Sequence, residues 1–191
     1  MKRLLLPLIL ILSLAGQVWA SKILIPMDDA QKNHLKAYGI AYWVLKVHDT
    51  EIDWLLNYRG GSFMMPQSQA FINEMVIRGV SYEVISDAQS AQILSEVAAA
   101  DANMDAVKLQ KPPKVAVYSP KTKQPWDDAV TMVMTYAEIP YDVIFDEEVM
   151  NGKMPEYDWL HLHHEDFTGQ YGKFFHFKDQ PWYIAQKREA E

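Results

Sequence analysis

Short apolar runs alternate with helical patterns along this chain, and that alternation restricts the fold more than any other feature. Strands separated by helices favour parallel βαβ units, so the pattern predicts an α/β protein with a parallel sheet and flanking helices. In the first part of the chain, the predicted strands are Lys22–Pro26, Ile52–Asn57, Ser81–Ile85 and Ala106–Leu109. The predicted helices between them are Gln31–Lys46, Ser68–Ile77 and Asp87–Ala99.

The segment Lys111-Pro112-Pro113 interrupts this pattern, because proline lacks the N–H that a strand ladder needs and restricts the residue before it. We therefore expect an N-terminal α/β region over residues 21–110 and a second α/β domain over residues 111–191. In the second domain the predicted strands are Val115–Tyr118, Tyr141–Phe145 and Asp158–His163, and the main predicted helix is Asp127–Glu138.

Helix 127–138 has a broad apolar stripe. Its apolar residues follow the i, i+3, i+4 spacing of one helix face, which predicts that this face packs on the sheet. The stripe consists of Trp126, Ala129, Val130, Val133, Met134 and Ala137. We expect Val130, Val133 and Met134 to lie in the core.

The first twenty residues are typical of a secretory signal peptide. Lys2 and Arg3 precede an apolar run from Leu4 to Leu14, and Val18-Trp19-Ala20 places small residues where a signal peptidase cleaves. A membrane-spanning helix needs about 20 apolar residues, and this run is shorter. We expect cleavage after Ala20 and an exported chain, periplasmic or secreted, with no membrane attachment afterwards.

Net charge restricts the classes of partner, and cysteine content restricts how the fold is stabilised. Removal of residues 1–20 leaves 16 basic and 25 acidic residues, a net charge of −9. This balance disfavours polyanions, so we expect no nucleic-acid partner, and basic partners or neutral small molecules stay open. The partner we expect is a small-molecule ligand of unknown identity. The chain has no cysteine, so its stability has to come from a buried core and not from disulfides.

The segment from His161 to Asp166 is the leading candidate site. It follows a predicted strand, and ligands of open α/β sheets bind just beyond the carboxyl ends of strands. His163, His164, Glu165 and Asp166 are candidate catalytic residues, because a carboxylate can orient a histidine that transfers protons near neutral pH. Thr168 and Gln170, a few residues later, are candidate binding residues.

Two other interpretations of this segment stay open. His161 and His163 alternate with leucines, so in a strand they project from one face about 7 Å apart, a spacing suited to zinc. Alternatively, His161 is a half-buried structural histidine followed by a polar turn. No other cofactor is expected.

Three further features allow both a functional and a structural interpretation. Asp28 and Asp29 follow the first strand and are candidate binding residues, but aspartate is a common helix N-cap, and the cap is the favoured interpretation. Arg59-Gly60-Gly61-Ser62 resembles an anion cradle but lacks the lysine of a phosphate loop, which favours a tight turn. Near the end lies an aromatic cluster that suits either a flat ligand or a surface covered by further chain: Phe167, Tyr171, Phe174, Phe175, Phe177, Trp182 and Tyr183.

The second domain resembles the opening of a class I glutamine amidotransferase-like domain. The resemblance rests on the strand Val115–Tyr118, the helix from Asp127, the strand Tyr141–Phe145 with Asp146-Glu147-Glu148 after it, and Tyr157–Leu162. More specifically, the chain resembles exported Bacteroidota proteins labelled asparagine synthetase B. The segments that carry this likeness are Ile25–Asp28, Leu55–Phe63, Gln124–Val130 and His161–Gln170.

This resemblance implies a flavodoxin-like parallel sheet and hydrolytic or amide-processing chemistry. The label itself conflicts with the residues, because the chain lacks both the cysteine nucleophile and the pyrophosphate loop of an ATP-dependent asparagine synthetase. The resemblance also implies that the sheet is incomplete at the C-terminus, that this chain alone is inactive, and that a missing C-terminal region packs on the aromatic cluster. The alternative is a non-catalytic binding or interaction module.

Overall fold

The computed structural model describes residues 21–119, 129–162 and 177–190. The chain divides into two compact units between Pro112 and Pro113, within the Lys111-Pro112-Pro113 segment. The predicted signal peptide, residues 1–20, lies outside the described residues.

The first unit has five strands and three helices. The strands are β1 (Ser21–Ile25), β2 (Ile52–Leu56), β3 (Ser62–Pro66), β4 (Glu83–Ser86) and β5 (Asp105–Leu109). The helices are α1 (His34–His48), α2 (Gln69–Arg78) and α3 (Asp87–Val97), and a short 3-10 turn covers Tyr58–Gly60.

These strands form one antiparallel sheet in the order β4-β1-β3-β2-β5. The predicted parallel sheet is therefore wrong for this unit. A strand that the sequence pattern did not reveal, β3, follows a tight turn after β2 and inserts between β1 and β2. The first four strands and the first two helices follow the βαββαβ order of a ferredoxin-like arrangement. Neighbouring strands in this sheet are antiparallel, where the sequence pattern predicted parallel neighbours.

Helices cover both faces of this sheet. On one face, α1 and α2 bury their apolar side chains against Ile23, Ile25, Phe63 and Met65. On the other face, Ile93 and Val97 of α3 pack with Leu24, Leu55 and Met64. Successive residues of β1 and β3 thus alternate between two cores, as the pleat of a strand requires.

The second unit contains a small parallel sheet. Its strands are β6 (Val115–Tyr118), β7 (Tyr141–Ile144) and β8 (Trp159–Leu162), in the order β7-β6-β8. Both pairings of β6 are parallel, as predicted for these three strands. The helices are α4 (Ala129–Ala137), α5 (Asp146–Met150) and α6 (Pro181–Ala190), and a 3-10 turn covers Met154–Glu156.

The protein is therefore a mixed α/β chain with two separate sheets, and the single flavodoxin-like parallel sheet implied by the resemblance is wrong. None of the helices in the described ranges combines the length and apolar character that crossing a membrane requires.

The apolar stripe of α4 is only partly buried. Met134 and Ala137 are buried, with 6% and 1% of their surface exposed, and Val130 is half-buried. Val133, predicted to lie in the core, is 40% exposed. The prediction for Val133 is therefore wrong, and the buried face of α4 is narrower than the stripe in the sequence.

Candidate functional site

The carboxyl ends of the three parallel strands meet at one edge of the second sheet. Tyr118 of β6 is in register with Ile144 of β7 and with Leu162 of β8, so all three strands end at the same level. The chain passes from β6 to β7 on one side and then to β8 on the other side of β6. In open α/β sheets, ligands commonly bind beyond the carboxyl ends of the strands at a change of side of this kind.

A cluster of two aromatic side chains and one carboxylate lies at this edge, formed by Tyr118, Phe145 and Asp146. The hydroxyl of half-buried Tyr118 donates a hydrogen bond to Oδ1 of Asp146, the first residue of α5. The ring of Phe145 lies 5.2 Å from the ring of Tyr118, measured between centroids. Asp146 itself is exposed, so its carboxylate is accessible from solvent.

Two backbone donors at the same edge already have acceptors. The N–H of Ser119 donates to the carbonyl oxygen of Ile144 at 3.0 Å. The N–H of Phe145 donates to Oε2 of Glu148 at 2.9 Å, so the start of α5 is capped by the chain's own carboxylate. These two groups are therefore committed within the protein.

Of the site residues predicted around the histidine-rich segment, the structure describes His161. The others lie outside the described residues: His163, His164, Glu165, Asp166, Thr168 and Gln170. In the sequence, His163 directly follows Leu162, the last residue of β8. The catalytic and binding roles of this segment stay predictions.

His161 lies in the middle of β8 and is half-buried. It is in register with Val117 of β6, whose own partner on the other side is Val143, so these three side chains share one face of the sheet. Within the part of the chain that the structure describes, no group of three or more histidines and carboxylates is placed to hold a metal ion. The zinc pair of His161 and His163 stays a prediction because His163 is outside that part.

The amino edge of the same sheet has a comparable pair. Tyr157 donates its hydroxyl to Oδ2 of Asp142 at 3.0 Å, and burial, with this hydrogen bond as the next cause, raises the pKa of Tyr157. The ammonium group of Lys114 lies 4.5 Å from the centroid of the Tyr157 ring and 3.3 Å from a carboxylate oxygen of Glu156. At this edge, the protein supplies its own cation.

In the first unit, an ion-pair cluster surrounds Arg59. Its Nε donates to Asp28 at 2.7 Å and its Nη1 donates to Glu83 at 2.8 Å. The hydrogen bond from Arg59 holds the pKa of Asp28 below its usual value, and the two carboxylates, Asp28 first, raise the pKa of Arg59. The guanidinium is therefore neutralised by the chain's own carboxylates and is poorly suited to a second anion.

Neither Asp28 nor Asp29 is the helix cap that the sequence favoured. Helix α1 begins at His34, and the side chain of Asn33 accepts the capping hydrogen bond from the N–H of Lys36 at 3.1 Å. Asp28 instead accepts from the N–H of Ala30 at 3.1 Å and pairs with Arg59. Asp29 is exposed in the turn that follows.

The Arg59-Gly60-Gly61 segment forms a tight turn between β2 and β3. Asn57, Arg59, Gly60 and Gly61 all have positive φ angles, with Gly60 at +81° and Gly61 at +96°. The N–H of Met27 donates to the carbonyl of Arg59 at 3.0 Å, so the turn is joined to the loop after β1. The geometry is that of a structural turn.

Part of the predicted aromatic cluster is described. Phe177, Trp182 and Tyr183 form a row, with ring centroids 5.8 Å and 5.7 Å apart. The other members, Phe167, Tyr171, Phe174 and Phe175, lie outside the described residues.

Tyr118 and Asp146 were not among the site residues predicted from the sequence. Ligands of open α/β sheets gather beyond the carboxyl ends of the strands. Because Val115–Tyr118 and Tyr141–Phe145 are predicted strands, their carboxyl ends point to Tyr118 and Asp146.

No protein-family model, curated protein or solved structure matches this chain. Function is therefore inferred from the geometry of the site.

Proposed function

We propose that this chain is an exported protein that binds a small ligand at the carboxyl edge of its parallel sheet. The observation that carries this proposal is the strand order β7-β6-β8. It makes β6 the point at which the chain changes sides, and Tyr118 and Asp146 stand at this edge.

The other clusters are weaker candidates. Arg59 is paired with two carboxylates, and the turn that carries it is fixed to Met27 by a backbone hydrogen bond. At the amino edge of the parallel sheet, Lys114 already occupies the space beside Tyr157. Among the three clusters formed by described residues, the carboxyl edge is the one that combines an accessible carboxylate with the position in the fold at which ligands commonly bind.

Export is part of the proposal, and the signal-like pattern of residues 1–20 supports it. The carbonyl of Ser21, the first described residue, accepts a hydrogen bond from the N–H of Gln67 at 3.0 Å. Cleavage after Ala20 leaves β1 and this bond intact. Intact-mass analysis of exported material should give a chain beginning at Ser21, and a mass that retains residues 1–20 would contradict export by this route.

We propose binding in preference to amide hydrolysis, because the sequence has no cysteine to act as the nucleophile of an amidotransferase. Ammonia release from L-glutamine or L-asparagine, measured with the purified chain, tests this choice. Release that is abolished by His163→Ala would establish catalysis and replace the binding proposal.

A matched pair of variants tests the position of the site. Tyr118→Phe removes a tyrosine–aspartate hydrogen bond at the carboxyl edge, and Tyr157→Phe removes the equivalent bond at the amino edge. A panel of amino acids, amino-acid amides, amines and sugars is titrated against labelled protein by NMR. We expect shifts at residues 118–119 and 144–146, and weaker binding in Tyr118→Phe alone. Shifts confined to the first unit, or equal effects of both variants, would refute this site.

A further inference from the structure

We propose that Asn151 is a site of spontaneous deamidation, and that opening of the C-terminal end of α5 controls how fast it reacts. Asn151 is followed by Gly152, and this is the one asparagine–glycine pair in the sequence. Both residues are exposed in the turn after α5, so solvent reaches them. Neither residue belongs to the ligand site proposed at the carboxyl edge.

The reaction needs only the chain and water. The backbone nitrogen of Gly152 attacks Cγ of the Asn151 side chain and loses its proton, while the bond from Cγ to Nδ2 breaks and ammonia leaves with that proton. The product is a five-membered succinimide ring. Water then adds to one of the two ring carbonyls and opens the ring, which gives aspartate or isoaspartate. Neither an oxidant nor a reductant is required.

Glycine at the next position favours the attack. Gly152 has no Cβ to shield its nitrogen, and a Cβ built there would meet no atom within 4 Å. The other four asparagines precede residues with larger side chains: Asn33 precedes histidine, Asn57 tyrosine, Asn73 glutamate and Asn103 methionine. Asn151 should therefore react before them.

While the end of α5 is closed, the attacking nitrogen is held away from the side chain. The N–H of Gly152 donates to the carbonyl of Val149, and the N–H of Lys153 donates to the carbonyl of Glu148, both at 3.0 Å. These two bonds close a helix at a glycine with positive φ, here +75°. The ψ angle of Asn151 is 5°, which turns the next nitrogen away from Cβ. Attack therefore requires rotation about ψ and loss of the bond to Val149.

The end of α5 is weakly held. The helix spans five residues, Asp146–Met150, and helices this short are marginal by themselves. Met150, its last residue, is 86% exposed and so adds little packing at this end. Helix ends of this kind open far more readily than the whole fold unfolds. The reaction rate therefore follows the fraction of time for which this end is open.

Both products should loosen α5. Each carries a carboxylate at the C-terminal end of the helix, where the helix dipole disfavours negative charge. Isoaspartate also lengthens the backbone before Gly152, which disrupts the two closing hydrogen bonds. Amide hydrogen exchange at residues 150–153 should therefore be faster in the deamidated chain than in the fresh chain, and unchanged exchange would reject this effect.

Ageing of the purified chain at mildly alkaline pH, followed by peptide mapping with mass spectrometry, tests the site. Conversion of an amide to a carboxylate adds about 1 Da. We expect Asn151 to convert about tenfold faster than any of the other four asparagines, because only its following nitrogen is unshielded. Asn151→Gln should lose this conversion, since its longer side chain would have to close a six-membered ring. If Asn151 converts no faster than another asparagine, the proposed site is wrong.

A peptide of residues 147–155 gives the reaction rate without the folded helix, and the folded chain should convert at least about tenfold more slowly than this peptide. Met150→Gly weakens the helix and Met150→Ala does not, so Asn151 should convert about fivefold faster in the glycine variant. Residue 150 precedes Asn151, so both variants keep the glycine that follows it. Equal rates in the folded chain and the peptide, or in the two variants, would overturn the control by α5 and leave the deamidation site standing.

Discussion

The side-chain amide of Gln31 pairs with both backbone polar groups of Ser81, a residue 50 positions away in the chain. Nε2 of Gln31 donates to the carbonyl of Ser81 at 3.1 Å, and Oε1 accepts from its N–H at 2.9 Å. The remaining bonds of the amide go to the carbonyl of Pro26 at 2.9 Å and the N–H of Asn33 at 3.2 Å. Gln31 is 5% exposed, so this one side chain joins the loop after β1 to the loop before β4 inside the protein.

Gln31→Leu should destabilise the first unit strongly. The substitution keeps an apolar side chain of similar size, but it leaves the backbone groups of Ser81 and Pro26 without their partner. Each unsatisfied buried group costs about 1 to 3 kcal/mol, so we expect a loss of about 3 kcal/mol or more. Urea unfolding measures this loss, and Gln69→Leu on the exposed start of α2 is the control. A Gln31→Leu variant as stable as that control would show that the amide is dispensable.

Gly60→Ala should be more damaging than Gly79→Ala, although both residues have positive φ angles. A Cβ on Gly60 would lie 2.3 Å from the carbonyl oxygen of Met27, whereas a Cβ on Gly79 would have no atom within 4 Å. The left-handed conformation alone costs about 1 to 2 kcal/mol, which is the loss expected for Gly79→Ala. Gly60→Ala adds a backbone clash, so its unfolding free energy should fall well below that of Gly79→Ala. Equal losses would mean that the turn moves away from Met27 without cost.

The pair between Asp28 and Arg59 should make stability depend on pH in the acid range. The hydrogen bond from Arg59 lowers the pKa of Asp28 below its ordinary value of 3.8. A lowered folded-state pKa stabilises the protein above the unfolded-state pKa, and this contribution disappears as the pH falls through the folded-state pKa. The unfolding free energy of wild type should therefore exceed that of Asp28→Asn at neutral pH, with the two converging in acid. A gap that persists unchanged at strongly acid pH would contradict this explanation, and Asp29→Asn on the exposed neighbour serves as the control.

The sequence located most helices and strands but not the direction of the first sheet. The missed strand, Ser62–Pro66, is buried at four of its five positions, because helices cover both faces of the sheet. A strand buried on both faces lacks the alternation of apolar and polar residues that marks a half-exposed strand. Without β3, the order strand, helix, strand from β1 to β2 indicates parallel neighbours. With β3 between them, every neighbour is antiparallel.

The site shows a similar limit. The histidines after β8 were predicted as a site because their side chains can transfer protons or bind metal. Tyr118 and Asp146 have no such signal in the sequence, and their role depends on where the three strands end. Only the register of Tyr118 with Ile144 and Leu162 brings these positions to one edge. Composition and spacing cannot supply that register, because it depends on pairing between distant segments.

The burial of α4 gives the last prediction, in which adjacent residues should respond in opposite ways to the same substitution. Val133 and Met134 are neighbours in the helix, but successive residues point about 100° apart around its axis, and only Met134 lies against the core. The three strands of the second unit have four residues each, so the sheet offers a surface only about 13 Å long, too small to bury the whole stripe. Burying an unpaired carboxylate is far more costly than exposing one.

Met134→Asp should therefore unfold the second unit, and Val133→Asp should cost less than about 1 kcal/mol, as usual for a surface substitution. The measurement is amide hydrogen exchange at residues 115–118 and 141–144, which report on the parallel sheet. Residues 23–25 of the first unit serve as the internal reference, because they belong to a separate compact unit. Retained protection in Met134→Asp, or its loss in Val133→Asp, would show that α4 packs through the face that the sequence stripe indicated.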